Sequence, residues 1–249
     1  MVKYAVDNKQ PAIALSDHGT MHMFVDQVEL CNKHGVKPIV ACEIYEVDNY
    51  LEKQDTKEYK QPRYHLLLIV KTQQGLKNLF KIVSEAATTG FYGKPRISIS
   101  WIKENNLGEG IICLTACQAG RVSRYLEAEK YKEAEDYVNL LKETFDYVSL
   151  EIQSHPTDQQ LACNTLIYNF ARYMKMPYVI TTDAHMLSAD QLDSHSIFVE
   201  IGEGREAGEI YSGCHLQNEK DVYKYLGNWN LDRVIQAGIH ETIKITNMI

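Results

Sequence analysis

"YVITTDAHM", residues 178–186, opens on a run of β-formers and closes on Asp183 and His185 with one residue between them. Alternate residues of a strand share a face, so these two titratable side chains project together just past an apolar stretch. A carboxylate beside an imidazole suits a divalent metal, an acid–base pair or a capped turn. The choice depends on whether other strands end in the same way.

Strand-like runs occur at 12–16 (AIALS), 38–45 (PIVACEIY), 65–70 (HLLLIV), 111–116 (IICLTA), 147–153 (YVSLEIQ) and 178–182 (YVITT). Amphipathic segments separate most of them. Phe24, Val28 and Cys31 recur at helical spacing and stop at Gly35, a C-cap. Leu76, Leu79, Phe80 and Val83 mark a second helix, and Ala134, Val138 and Leu141 a third. Cys163, Leu166, Ile167 and Phe170 mark a fourth that ends before Pro177, and Ile235, Ile239 and Ile243 a last one near 232–246. This alternation predicts an α/β fold with a largely parallel sheet. No GxGxxG or Walker pattern follows a strand, which favours a barrel-like sheet over a dinucleotide binder. The charged stretch 48–63 reads as a long exposed loop.

In α/β barrels chemistry gathers at the C-terminal ends of the strands. There Asp17-His18 follows AIALS, Glu43 lies near the end of PIVACEIY, Cys117 follows IICLTA, and Asp183 and His185 follow YVITT. Singly, each has a plainer reading: Asp17 as a helix cap, Glu43 as a salt-bridged strand end, Cys117 as a small buried hydrophobe. Together they repeat one placement at four strand ends. His, Cys and carboxylate form the mixture expected for zinc, iron or manganese. Clustered ions of that kind suit phosphoester hydrolysis, one activating water and another neutralising the leaving oxygen.

Composition sets limits. The chain has 249 residues, 45% hydrophobic and 24% charged, with 26 Lys+Arg against 33 Asp+Glu and a net charge of −7. It is not a basic module that grips nucleic acid by charge alone. The sequence has no apolar run of the ~20 residues a membrane helix requires, and the N-terminus lacks a signal-peptide core. A cytoplasmic protein with no membrane partner is expected. Six cysteines without CxxC spacing argue against a disulfide framework.

"AIALSDHGTMHMFVDQVELCNKHGVKPIVACEIYEV", "YHLLLIVKTQQGLKNLFKIVSEA", "GFYGKPRI", "LTACQAGRV" and "YVITTDAHML" resemble the polymerase-and-histidinol-phosphatase (PHP) domain. The version resembled is the one at the N-terminus of bacterial DNA polymerase III α subunits. The resemblance implies a distorted TIM-like (β/α)7 barrel whose strand ends bind up to three divalent metal ions. It also implies phosphoester hydrolysis, in some polymerases 3′–5′ exonuclease proofreading. Carried over by position, His18, Glu43, His65, Cys117, Asp183 and His185 match ligand positions, with Asp183, His185 and Glu43 the candidate catalytic groups. His65 begins its strand rather than ending it, so either this strand runs antiparallel to its neighbours or His65 points elsewhere; the close match of "YHLLLIVK" to the family favours the antiparallel strand.

The family opens on a strand bearing His-x-His, followed by a ligand Asp. No His-x-His occurs in these 249 residues, and residue 1 corresponds to the helix after that turn. The first strand is therefore expected to be missing and the metal centre incomplete. The segment 207–217 is expected to cover the bare edge of 12–16, with a homodimer partner as the alternative. Residues 1–205 would form the barrel domain and 206–249 an extension towards polymerase domains that lie downstream. Without the palm domain the chain is not expected to polymerise DNA. Expected partners are DNA or another phosphoester, other polymerase III domains, or a proofreading subunit. Two other functions compete: a non-catalytic scaffold of a replicative polymerase, and a stand-alone histidinol-phosphatase-type phosphatase. His155 and Arg121 are further candidates for phosphate contact, and His22 and His34 read as surface residues.

Overall fold

The computed structural model describes residues 1–54, 60–204, 211–230 and 232–249. Its strands are β1 (Ala12–Leu15), β2 (Lys37–Glu46), β3 (Tyr64–Val70), β4 (Arg96–Ile97), β5 (Ile111–Leu114), β6 (Tyr147–Gln153) and β7 (Tyr178–Thr181). Six match the runs expected from sequence. β4 was not expected, because two residues make no periodicity. The helices are α1 (Val2–Asp7), α2 (Phe24–His34), α3 (Gln73–Ala87), α4 (Ile99–Glu104), α5 (Arg121–Glu127), α6 (Tyr131–Thr144), α7 (Asp158–Met174), α8 (Leu192–Glu203), α9 (Glu219–Leu226) and α10 (Asp232–Met248). The chain divides into two compact units, one of Met1–Ser149 with Ile245–Ile249, the other of Leu150–Lys244.

In the first unit the strands pair in the order β1-β2-β3-β5, followed by the start of β6. β1 and β2 are parallel, as are β5 and β6, and β4 adds in parallel to the end of β2. β3 runs antiparallel to both neighbours. That reversal puts the first residues of β3 beside the last residues of β2, as the position of His65 required. The core is made by strand residues such as Leu66, Leu68, Ile111 and Ile112, all essentially inaccessible, against Leu79 and Ile82 of α3 and Leu141 of α6.

Local signals set the ends of the helices. Gly35 closes α2 at φ 68°, a left-handed position that favours glycine. The Thr72 hydroxyl accepts the Gly75 amide at the start of α3. The 48–63 stretch is not wholly solvated. Tyr50 and Gln61 are buried, Tyr50 donating to Glu85 and Gln61 bonding both backbone groups of Asn49. Residues 55–59 lie outside the described residues.

In the second unit the Leu150–Gln153 part of β6 pairs in parallel with β7. Asn164 of α7 bonds both backbone groups of Gln153, and Asn218 caps α9 reciprocally with Asp221. α10 packs on β7: Thr242 donates to the Ile180 carbonyl, and Tyr178 donates to that of Val234. Of the segment expected to cover β1, residues 207–210 lie outside the described residues. Residues 211–217 belong to the second unit, where the Cys214 carbonyl accepts from the His185 amide and the Leu216 amide donates to the Met186 carbonyl.

Candidate metal centre

The chain leaving β1 stays paired with β2 for a few residues more. Glu43 donates its amide to Asp17, and Gly19 donates to Glu43, so His18 stands opposite Glu43. Gly19 sits at φ 65°, and a Cβ there would lie 2.5 Å from Pro95 Cγ. Only glycine allows this turn to press against the 92–95 turn. On β2 the alternation puts Glu43 and Tyr45 on one face. Tyr45 is in register with His65 across the antiparallel pair, which brings that imidazole to the same face. The His65 amide in turn donates to Ala119, tying down the turn that carries Cys117.

Three side chains therefore converge. His65 Nδ1 lies 2.5 Å and His18 Nδ1 3.6 Å from Glu43 Oε1. The ligand atoms of His18, Glu43 and His65 all lie within 4.8 Å of one another. Cys117 Sγ is 3.6 Å from His65 Nδ1 and accepts the Ala119 amide. Two imidazoles and a buried carboxylate, with a thiol alongside, form a donor set suited to zinc, manganese or iron. These residues fit a divalent cation. Tyr45 walls the cluster, its ring 5.8 Å from that of His18 and 5.3 Å from that of His65.

Asp183 and His185 belong to the second unit. Asp183 follows β7 at φ 42°, a left-handed backbone that turns the chain sharply after the strand. His185 Nδ1 lies 2.7 Å from the Asp183 carbonyl and 3.8 Å from its carboxylate. Donation from Nδ1–H to that carbonyl leaves the lone pair on Nε2, the form a metal ligand requires. His195 and Tyr211 complete an aromatic cluster around His185, with ring centroids 4.6–5.6 Å apart. Sequence reasoning missed both, and their order along the chain gives no signal of it.

His155 is buried, with Nε2 2.8 Å from the Thr182 carbonyl and Cys214 Sγ 3.6 Å away. Burial pushes the His155 pKa down and the Cys214 thiol up, so His155 is a neutral packing residue and Cys214 is protonated. His22 and His34 are exposed, as expected.

Arg121, a candidate for phosphate contact or for a surface role, is committed to a buried ion pair. It is 6% exposed, its Nε 3.0 Å from Glu46 Oε1 and its Nη1 2.5 Å from Asp48. Its guanidinium lies over Tyr64, Tyr125 and Tyr137, and the Tyr137 hydroxyl donates to Glu46 Oε2. Burial pushes the Glu46 carboxyl up to about 7, against the pull of Arg121 and Tyr137. The arginine holds α5 to the end of β2 and is committed to that work.

Residues 1–155 match the PHP domain family, and the chain belongs to that family. Its curated relatives are DNA polymerase III α subunits. That of Aquifex aeolicus is 29% identical over 229 residues, 90% of this chain and 20% of the relative. That of Borreliella burgdorferi is 31% identical over 201 residues, 79% of this chain and 17% of the relative. The chain thus spans about a fifth of the length of the relatives it matches. A crystal structure of an inferred metal-dependent phosphoesterase from Bifidobacterium adolescentis superposes with a TM-score of 0.42 at 14% identity, covering 94% of this chain and 91% of the other. Among the described residues no helix is long and apolar enough to cross a membrane.

Proposed function

We propose that this is a PHP domain of the DNA polymerase III α type and that it uses a bound divalent metal to hydrolyse phosphoesters, in the manner of a 3′–5′ exonuclease. The observation that carries this reading is the convergence of His18, Glu43 and His65 within 4.8 Å. These three would hold the ion, with the Cys117 thiol beside them. A divalent cation bound there supplies Lewis acidity, polarising a phosphoryl oxygen and lowering the pKa of water. The chain's own groups do the rest. Glu43, buried, sets its Oε1 against Nδ1 of both His65 and His18, and the Tyr45 ring stacks on His18. In this reading Asp183 and His185 serve a further ion, with Nε2 of His185 as donor. We assign the PHP domain to 1–205 and a connecting extension to 206–249, leading towards the polymerase portion seen in the longer relatives. Other polymerase subunits are the natural partners.

The test is manganese-dependent release of the 3′-terminal nucleotide from a labelled oligonucleotide, by wild type and by Asp183→Asn. Hydrolysis by wild type that the substitution abolishes supports the reading. Metal bound without hydrolysis would leave a structural ion and favour the scaffold role within a replicative polymerase.

A further inference from the structure

We propose that Lys94, seated against the Tyr45 ring, is a phosphate-holding subsite beside the triad, so that the substrate carries a second phosphate next to the one that reacts. A nucleotide chain fits this description and a lone phosphomonoester does not. The proposal rests on the reading that the triad is where the phosphodiester reacts.

The placement of Lys94 is set by the backbone. Tyr92 donates its amide to the Lys94 carbonyl across a tight turn, and Gly93 supplies the left-handed residue at φ 69°. Pro95 then presses on Gly19, directly after the metal-site His18. The turn that carries the lysine is thereby clamped to the turn that carries a ligand. Lys94 Nζ lies 5.6 Å from the centre of the Tyr45 ring, the same ring that contacts His18 and His65. An aromatic face attracts an ammonium, so Tyr45 holds the charge one ring away from the triad. The ring thus contacts the amine as well as the two imidazoles.

Several other cations of the unit are engaged. Lys71 pairs with Asp146, Lys103 with Glu143 and Arg121 with Glu46 and Asp48. Arg96, two residues on, donates to the carbonyls of Gly90, Tyr50 and Glu52. Lys94 is exposed, and among the described residues no carboxylate pairs with it. In a chain of net charge −7, a cation left open beside a candidate catalytic centre is suited to a phosphate, which lysine binds as a point charge.

The test is fluorescence anisotropy of a labelled single-stranded oligonucleotide, titrated with the metal-loaded 249-residue chain over a range of salt. One phosphate contact on a single strand contributes about 0.7 to the slope of log K against log salt, or about fivefold in affinity at about 0.1 M salt. Lys94→Ala is expected to lose both, Lys94→Arg to keep both, and bound metal to be equal in all three proteins. Unchanged affinity and slope in Lys94→Ala would overturn the proposal. So would weakened binding with an unchanged slope, which marks a structural role, or a wild type that does not bind the oligonucleotide. Metal content of the same samples judges the triad separately.

Discussion

Glu43 is the residue on which the centre turns, because its Oε1 faces both imidazoles. Glu43→Gln keeps the shape and removes the charge, and it is expected to lower affinity for zinc or manganese on the order of 10²-fold. Competition with a chelator measures this, and an unchanged affinity would show that the ion, if bound, sits elsewhere. Arg121 permits a stability prediction. Removing one partner of a buried ion pair leaves the other charge uncompensated and costs roughly 3–5 kcal/mol. Arg121→Met should therefore shift urea unfolding at pH 8 by that amount, and a loss below about 1 kcal/mol would mean that water reaches the pair. Glu46 adds a pH dependence. Its folded-state pKa of about 7 lies above its ordinary 4.5, so between those values the folded state keeps a proton that the unfolded state has released. The stability this contributes is full below about 4.5 and is lost as pH rises through about 7. Glu46→Gln should remove that falling component from the urea midpoint measured between pH 5 and 8, and identical profiles would contradict it. At this scale the sequence was only partly legible. His18 and Glu43 could be picked out by position at strand ends, and His65 only through the family resemblance. The burial of Arg121 could not, because it takes Glu46, Asp48, Tyr64, Tyr125 and Tyr137, scattered over ninety residues with no local period.

Among elements, the strands were readable because each is a short apolar β-branched run between turn residues. The antiparallel β3 was legible from one misplaced histidine. The elements that escaped were short or weakly patterned: α4, α5, α9 and the two-residue β4. α8 escaped for a different reason, since Ile197, Phe198 and Ile201 are exposed on it and blur any apolar stripe. The turn after β1 offers the sharpest test of how elements place the site. A Cβ on Gly19 meets Pro95 and disfavours the left-handed backbone. Gly19→Ala should cost about 1–3 kcal/mol and, in the protein that still folds, weaken metal binding by displacing His18. Retention of full affinity would mean that the clamp between the two turns does not position the ligand.

On the scale of the molecule, the chain is a family domain matched to about a fifth of much longer polymerase subunits, and that share was legible because the matching motifs recur in order along the sequence. The division into two units was not legible, because no linker composition marks residue 149. α10 contributes to the second unit through Gly238, where a Cβ would come within 2.6 Å of Ile180, and through Thr242. The central claim is that His18, Glu43 and His65 hold a divalent ion. It is tested most directly by stripping the purified chain with chelator, titrating zinc back and measuring bound metal per chain for wild type and for a His18→Ala, Glu43→Gln, His65→Ala triple variant. The account predicts at least one ion bound by wild type, with ligand distances near ~2.0–2.3 Å, and that site lost in a triple variant that still folds. A wild type that binds none, or a variant that keeps the same stoichiometry and affinity, would contradict it.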